Sequence, residues 1–147
     1  MSRVVTSQWL GYLGLIPFLG FCAGFYWLED WPRSVSVQGF VIYSLAILCF
    51  LAGALWGQAQ RSDEALSVPT LLISNGLVLF AVTALLTAQA MLASVLLALG
   101  YLALLWFELR TSSQEHWYLV MRKRLTLGVF AAHLIYVSLH ISGAQLP

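Results

Sequence analysis

An all-α integral membrane bundle of five transmembrane helices, N-terminus inside and C-terminus outside, is the architecture this sequence predicts. Three observations predict it: scarce charge, long charge-free runs, and a one-sided distribution of Lys and Arg. Of the 147 residues, 61% are hydrophobic and 9% charged, and the mean hydropathy is +0.85. Soluble domains carry roughly 45–50% apolar and about 25% charged residues. Too few polar side chains are present to cover a water-soluble globule. That excludes a soluble enzyme, a nucleic-acid binder, a disordered segment and a collagen-like fibre. The formal net charge of +1 offers no polybasic surface either.

The charges divide the chain, which reads as one domain over 1–147. Residues 4–28 form a charge-free run of 25, read as a first helix at about 9–28. Residues 34–60 give a run of 27 and a second helix at about 38–57. Residues 65–107 give a run of 43. As helix that run would extend about 65 Å at 1.5 Å per residue, and a crossing needs only about 20 residues. It therefore holds two helices, at about 69–87 and 91–109, with Thr87 and Gln89 marking the turn. Residues 125–147, a run of 23, supply the fifth helix at about 124–141. None of the runs alternates as a barrel strand does, and helices satisfy their own backbone in lipid.

Local signals refine these elements. The first apolar stretch is too long for a signal-peptide core and no A-x-A site follows, so it is expected to remain as a helix. Pro17 in that helix predicts a kink near Leu13–Pro17. Ser67 reads as an N-cap with Pro69 in the first turn. Ser112 and Glu115 read as a capping box. A helix from near 113 to 141 would be about 43 Å long at 1.5 Å per residue, so its first turns should protrude or lie along the interface. Gly20–Gly24 and Gly53–Gly57 are G-x-x-x-G pairs, and Gly128–Ala132 is a weaker one; all are expected to serve intramolecular helix packing. Cys22 and Cys49 lie in apolar runs and read as small hydrophobes.

Six of the seven basic residues fall on one side of the five-helix topology: Arg3, Arg61, Arg110, Arg122, Lys123 and Arg124, against Arg33 alone. The positive-inside rule places that side in the cytoplasm. No Arg- and Ser-rich transit peptide is present, which favours the bacterial inner membrane. The six tryptophans fall at or beyond helix ends, with Trp9, Trp56, Trp106 and Trp117 inside and Trp27 and Trp31 outside, as two interfacial belts require.

Few side chains could carry chemistry. His133 lies near the middle of the fifth helix, on one face with Tyr136 and His140. An intramembrane polar group is a functional hypothesis by default. The two histidines are about 10 Å apart along one helix, too far to share a metal. The expected role of His133 is a hydrogen bond to Ser, Asn or Tyr of a neighbouring helix; no metal and no cofactor are expected. Asn75 and Tyr101 are read as inter-helix hydrogen-bonding groups at inner-leaflet depth. Glu108, followed by Arg110, reads as an interfacial ion pair. G-x-S-x-G, H-E-x-x-H and phosphate-binding glycine loops are all missing. No span carries charge away from its ends, and five spans do not divide into equal repeats, so a transporter is the least supported reading.

Several segments occur in a particular order: Leu10-Gly11-Tyr12-Leu13-Gly14-Leu15-Ile16-Pro17-Phe18, then Ile47-Leu48-Cys49-Phe50-Leu51-Ala52-Gly53 closing at Trp56-Gly57, then Ser67-Val68-Pro69, and finally Trp117-Tyr118, Arg122 and Arg124-Leu125-Thr126. In that order they resemble the uncharacterised multi-pass membrane family that includes transmembrane protein 69 of mitochondria. Leu55 stands where the family pattern often has His or Arg. The resemblance implies five membrane helices and brings no activity with it. It gathers Trp56, Ser67, Trp117, Tyr118, Arg122 and Arg124 at the inner face, as contacts for a partner or an anionic amphiphile.

The sequence thus predicts a non-enzymatic accessory or assembly subunit of a larger membrane complex. The alternative is a binder of a lipid, porphyrin or other small amphiphile at the Trp/Arg-rich cytoplasmic end. The lipid bilayer, and other membrane subunits, are the expected partners; nucleic acid is not.

Overall fold

A computed structural model describes residues 2–111 and 114–143, except the side chain of Glu64. The described residues are helical, in six segments: α1 (Arg3–Leu13), α2 (Ile16–Trp27), α3 (Asp30–Ala59), α4 (Glu64–Leu86), α5 (Ala90–Thr111) and α6 (His116–Gly143). Five helical stretches are long and apolar enough to cross a membrane: Arg3–Trp27, Asp30–Ala59, Ala65–Leu86, Ala90–Thr111 and His116–Gly143. The protein is accordingly a multi-pass membrane bundle. Four of the stretches, all but Ala65–Leu86, extend past their charge-free runs, because helix continues into the interface where charges are tolerated.

The first crossing is broken into α1 and α2. Gly14 and Leu15 close α1 with turn hydrogen bonds to Leu10 and Tyr12, and Pro17 sits in the first turn of α2. The expected kink is therefore a full interruption. Pro17 cannot donate to Leu13, so the helical ladder fails there. Tyr43 of α3 donates its hydroxyl to the Gly14 carbonyl at 2.9 Å, so the break is satisfied from across the bundle.

Two turn readings are corrected. Asp63, not Ser67, occupies the N-cap position of α4, and its carbonyl accepts from both Leu66 and Ser67. Pro69 lies inside α4 rather than in its first turn. Asp63 and Glu64 extend the helix into the polar layer, which the apolar window did not include. The Ser112–Glu115 capping box rests partly on Ser112, which lies outside the described residues. The α4–α5 turn falls at Thr87–Gln89, with Ala88 left-handed at φ 57°.

The core runs along the bundle axis through Phe18, Phe40, Leu48, Ala81, Leu97, Leu104 and Tyr136, each 1% exposed or less. α3 is the central helix, packed against α2, α4 and α5. By contrast, α1 contains no buried residue and leans chiefly on α6.

The glycine pairs behave differently from expectation. A Cβ at Gly24 would lie 2.2 Å from Ser36 Oγ, so α2 and α3 touch there. At Gly20, Gly53 and Gly57 a Cβ would meet nothing within 4 Å. Gly20 and Gly53 face outward and Gly57 borders a cavity, so Gly53–Gly57 makes no close helix contact and its intramolecular packing reading is overturned. Gly128 does pack, against Leu15.

Candidate functional site: a buried ion pair between two cavities

Glu108 of α5 and Arg122 of α6 are buried at 3% and 4% exposure. Arg122 donates from Nε to Glu108 Oε2 at 2.9 Å. Burying both charges is tolerable only because they neutralise each other. Glu108 is thus not paired with Arg110, because residues two apart on a helix do not face each other. Arg110 instead lies over the Trp106 ring, 4.7 Å from its centroid. The Arg122 guanidinium is not fully used: its Nη2 is buried without an acceptor.

A cavity adjoins each partner of this pair. Glu108 lines a cavity of about 550 Å³ with Gln58, Arg61, Asp63, Thr70 and Gln114, polar groups from the end of α3, the α3–α4 turn, α4 and the approach to α6. Arg122 lines a second cavity, of about 460 Å³, whose walls are apolar: Leu10, Leu15, Phe18, Leu51, Met121 and Leu125. Ala54 borders both. The apolar cavity exists because Gly11 and Gly14 bring no side chain into it and because the α1–α2 break carries α1 away from the core. Its polar lining includes Arg122, Tyr118 and Thr126. Thr126 is 1% exposed and its hydroxyl also lacks a partner. Two residues that line this apolar space of ligand size, Arg122 and Thr126, thus each keep a buried polar atom without a partner.

Above this cavity the bundle is closed by a satisfied polar network. His133 Nδ1 lies 2.7 Å from the Val129 carbonyl, which can only accept, so Nδ1 carries the proton. In the neutral ring Nε2 then accepts from Ser44 Oγ at 2.8 Å. Tyr101 donates to the Ser44 carbonyl at 2.6 Å. The network ties α3, α5 and α6 together near the middle of α3 and α5. Phe18 and Phe40 pack beside the imidazole, and Tyr136 stacks on Phe40 at 4.1 Å while donating to the Val37 carbonyl at 2.7 Å. His133 and Tyr136 are thus core groups with their hydrogen-bonding capacity in use.

The sequence-derived residues divide sharply. Arg122 and Tyr118 line the apolar cavity, and Tyr101 lines it while bonding Ser44. Trp56 and Arg124 are exposed and border neither cavity. Arg124, two residues beyond Arg122, leaves α6 on nearly the opposite side, so the two arginines form no clamp. Trp117 is half-buried and bonds Glu115 of its own turn. Ser67 is half-buried and borders neither cavity. Asn75 bonds no other helix: it is exposed, and its Nδ2 donates to the Leu71 carbonyl of its own turn at 2.9 Å. It lies at the middle of α4 and Tyr101 at the middle of α5, rather than toward one end. Glu108 and Thr126 were missed as site residues. Only the presence of a carboxylate and an arginine flanking one inter-helix loop could have signalled the first.

Residues 4–138 match the family described as "Protein of unknown function (DUF3429)". No curated protein and no solved structure matches the chain.

Proposed function

This chain belongs to the DUF3429 family, and we propose that it binds a small amphiphile in the apolar cavity beside Arg122. The observation that supports this reading is that two residues lining an apolar space, Arg122 and Thr126, each keep a buried polar atom, Nη2 and Oγ1, without a partner, so that a side-chain rotation brings a donor to the cavity. A buried polar group left unpaired costs about 1–3 kcal/mol, and an acceptor oxygen on a bound molecule removes that cost. Glu108 already balances the Arg122 charge. The head group is therefore a neutral oxygen acceptor, an ester or other carbonyl, rather than a multiply charged anion. Its apolar body fills the space walled by Leu10, Leu51 and Leu125.

The positive-inside distribution of Lys and Arg supports a cytoplasmic placement of this end, in a bacterial inner membrane. The ordered motifs shared with the family of transmembrane protein 69 support a mitochondrial counterpart. A porphyrin fits less well, because none of the described residues that line the cavity is a histidine able to hold its metal. A transport path is disfavoured by the aromatic layer of Phe18, Phe40 and Tyr136, which closes the bundle beyond the cavity. The accessory-subunit reading has the small size and short loops behind it, but no built site.

Native mass spectrometry from mild detergent, with lipid identification, tests the proposal. The wild-type chain should carry a carbonyl-bearing amphiphile. Ala54→Phe, which fills the cavity, and Thr126→Val, which removes one donor, should lose it while remaining folded. Adduct-free wild-type protein, or an adduct indifferent to both substitutions, contradicts the proposal.

A further inference from the structure

α4 turns a seam of residues away from the bundle: Val68, Leu72, Asn75, Leu79, Val82 and Leu86. Their spacing alternates four and three, the heptad spacing that keeps one stripe facing a partner helix. All six are exposed, with Leu72 and Leu79 at 69% and Leu86 at 77%. The opposite stripe, Ser74, Leu77, Ala81 and Ala84, is the one buried within the bundle.

Outward leucines alone say only that lipid surrounds the helix. Asn75 says more. It stands at the middle of α4, where a crossing helix meets the hydrocarbon centre. One amide N–H is spent on the Leu71 carbonyl, and the second N–H and the amide oxygen face outward. Polar groups at this depth are expensive unless they pair. Beside it, Gly76 offers a backbone with nothing within 4 Å of a Cβ position, so a second helix can approach closely.

We infer that α4 is a self-association surface, and that Asn75 pairs with Asn75 of a second copy of this chain across a two-fold axis along the membrane normal. Two arguments select a second copy. Copies inserted with the same topology hold the same residue at the same depth, so Asn75 meets its own counterpart without adjustment. The primary amide is also self-complementary, because each copy offers one free N–H and one free oxygen. The inference is independent of the amphiphile cavity, which α4 does not line.

Energy transfer between donor- and acceptor-labelled full-length chains in phosphatidylcholine vesicles, titrated over protein-to-lipid ratio, tests it. Wild type should associate reversibly. Asn75→Leu should weaken association about tenfold, in line with inter-helix amide bonds in membranes. Asn75→Gln should restore most of it, and Leu134→Ala, on the outward side of α6, should change nothing. Cysteine at Leu79 should crosslink to itself in native membranes. Monomers at every ratio, equal association of the Asn75→Leu variant, or crosslinking only to a different protein would overturn the inference.

Discussion

Arg122 donates to Glu108 through Nε alone, at 2.9 Å, and keeps a second guanidinium nitrogen buried and unpaired. A bidentate fork would satisfy the arginine and close the site. The one-point contact leaves the pair intact and a further donor of the same side chain unpaired.

That arrangement fixes how the pair responds to substitution. Glu108→Ala strands a buried guanidinium and should cost about 3–5 kcal/mol. The apolar double variant Glu108→Leu/Arg122→Met should recover most of this loss, since buried pairs are often replaceable by apolar residues of similar size. Thermal unfolding in detergent of the two single variants and the double gives the coupling. The double variant should nonetheless bind no carbonyl amphiphile, which separates folding from binding.

Ser44 supplies the donor that His133 Nε2 accepts. Ser44→Ala should destabilise the protein by about 1–3 kcal/mol, because a buried acceptor loses its partner. The double variant Ser44→Ala/His133→Phe should be less destabilised than the sum of its parts, as removing both partners leaves nothing unpaired. A fully additive pair would show that the hydrogen bond carries no energy.

Gly24 and Gly53 provide an opposed pair of tests. Gly24→Ala drives a methyl into Ser36 and should cost about 1–3 kcal/mol by overpacking. Gly53→Ala meets open space and should gain up to about 1 kcal/mol from helix propensity. Melting temperatures shifting in opposite directions is the expected result.

Ala88 sits at φ 57° in the turn after α4. A left-handed alanine carries a penalty of about 1–2 kcal/mol that glycine does not. Ala88→Gly should therefore stabilise the turn by up to about 1 kcal/mol after its greater unfolded-state entropy is counted. Slower amide exchange at Thr87–Ala90 would report it.

The five crossings were legible because charge-free runs of spanning length admit few other readings. Which face of each helix turns inward was not, because helices apolar on every side carry no periodic signal of burial. Asn75 and Tyr101 illustrate this: both are polar groups at mid-helix, yet one faces out and the other bonds Ser44. His133 was read correctly as an inter-helix bonding group, since an imidazole in a packed span must find partners nearby. The Glu108–Arg122 pair was hidden by a nearer arginine, Arg110, which helical geometry turns toward Trp106 instead. The cavity itself arises from the gap between α1 and the core, a tertiary feature with no local signature.

The most direct test of the binding account is photolabelling in membranes with a diazirine-bearing fatty-acyl ester, followed by peptide mapping. Labelling should concentrate on Ser7–Leu15 and Tyr118–Val129, the walls of the cavity, and should fall with Ala54→Phe. Label spread evenly over outward leucines such as Leu72 and Leu99, and unchanged by that substitution, would contradict it.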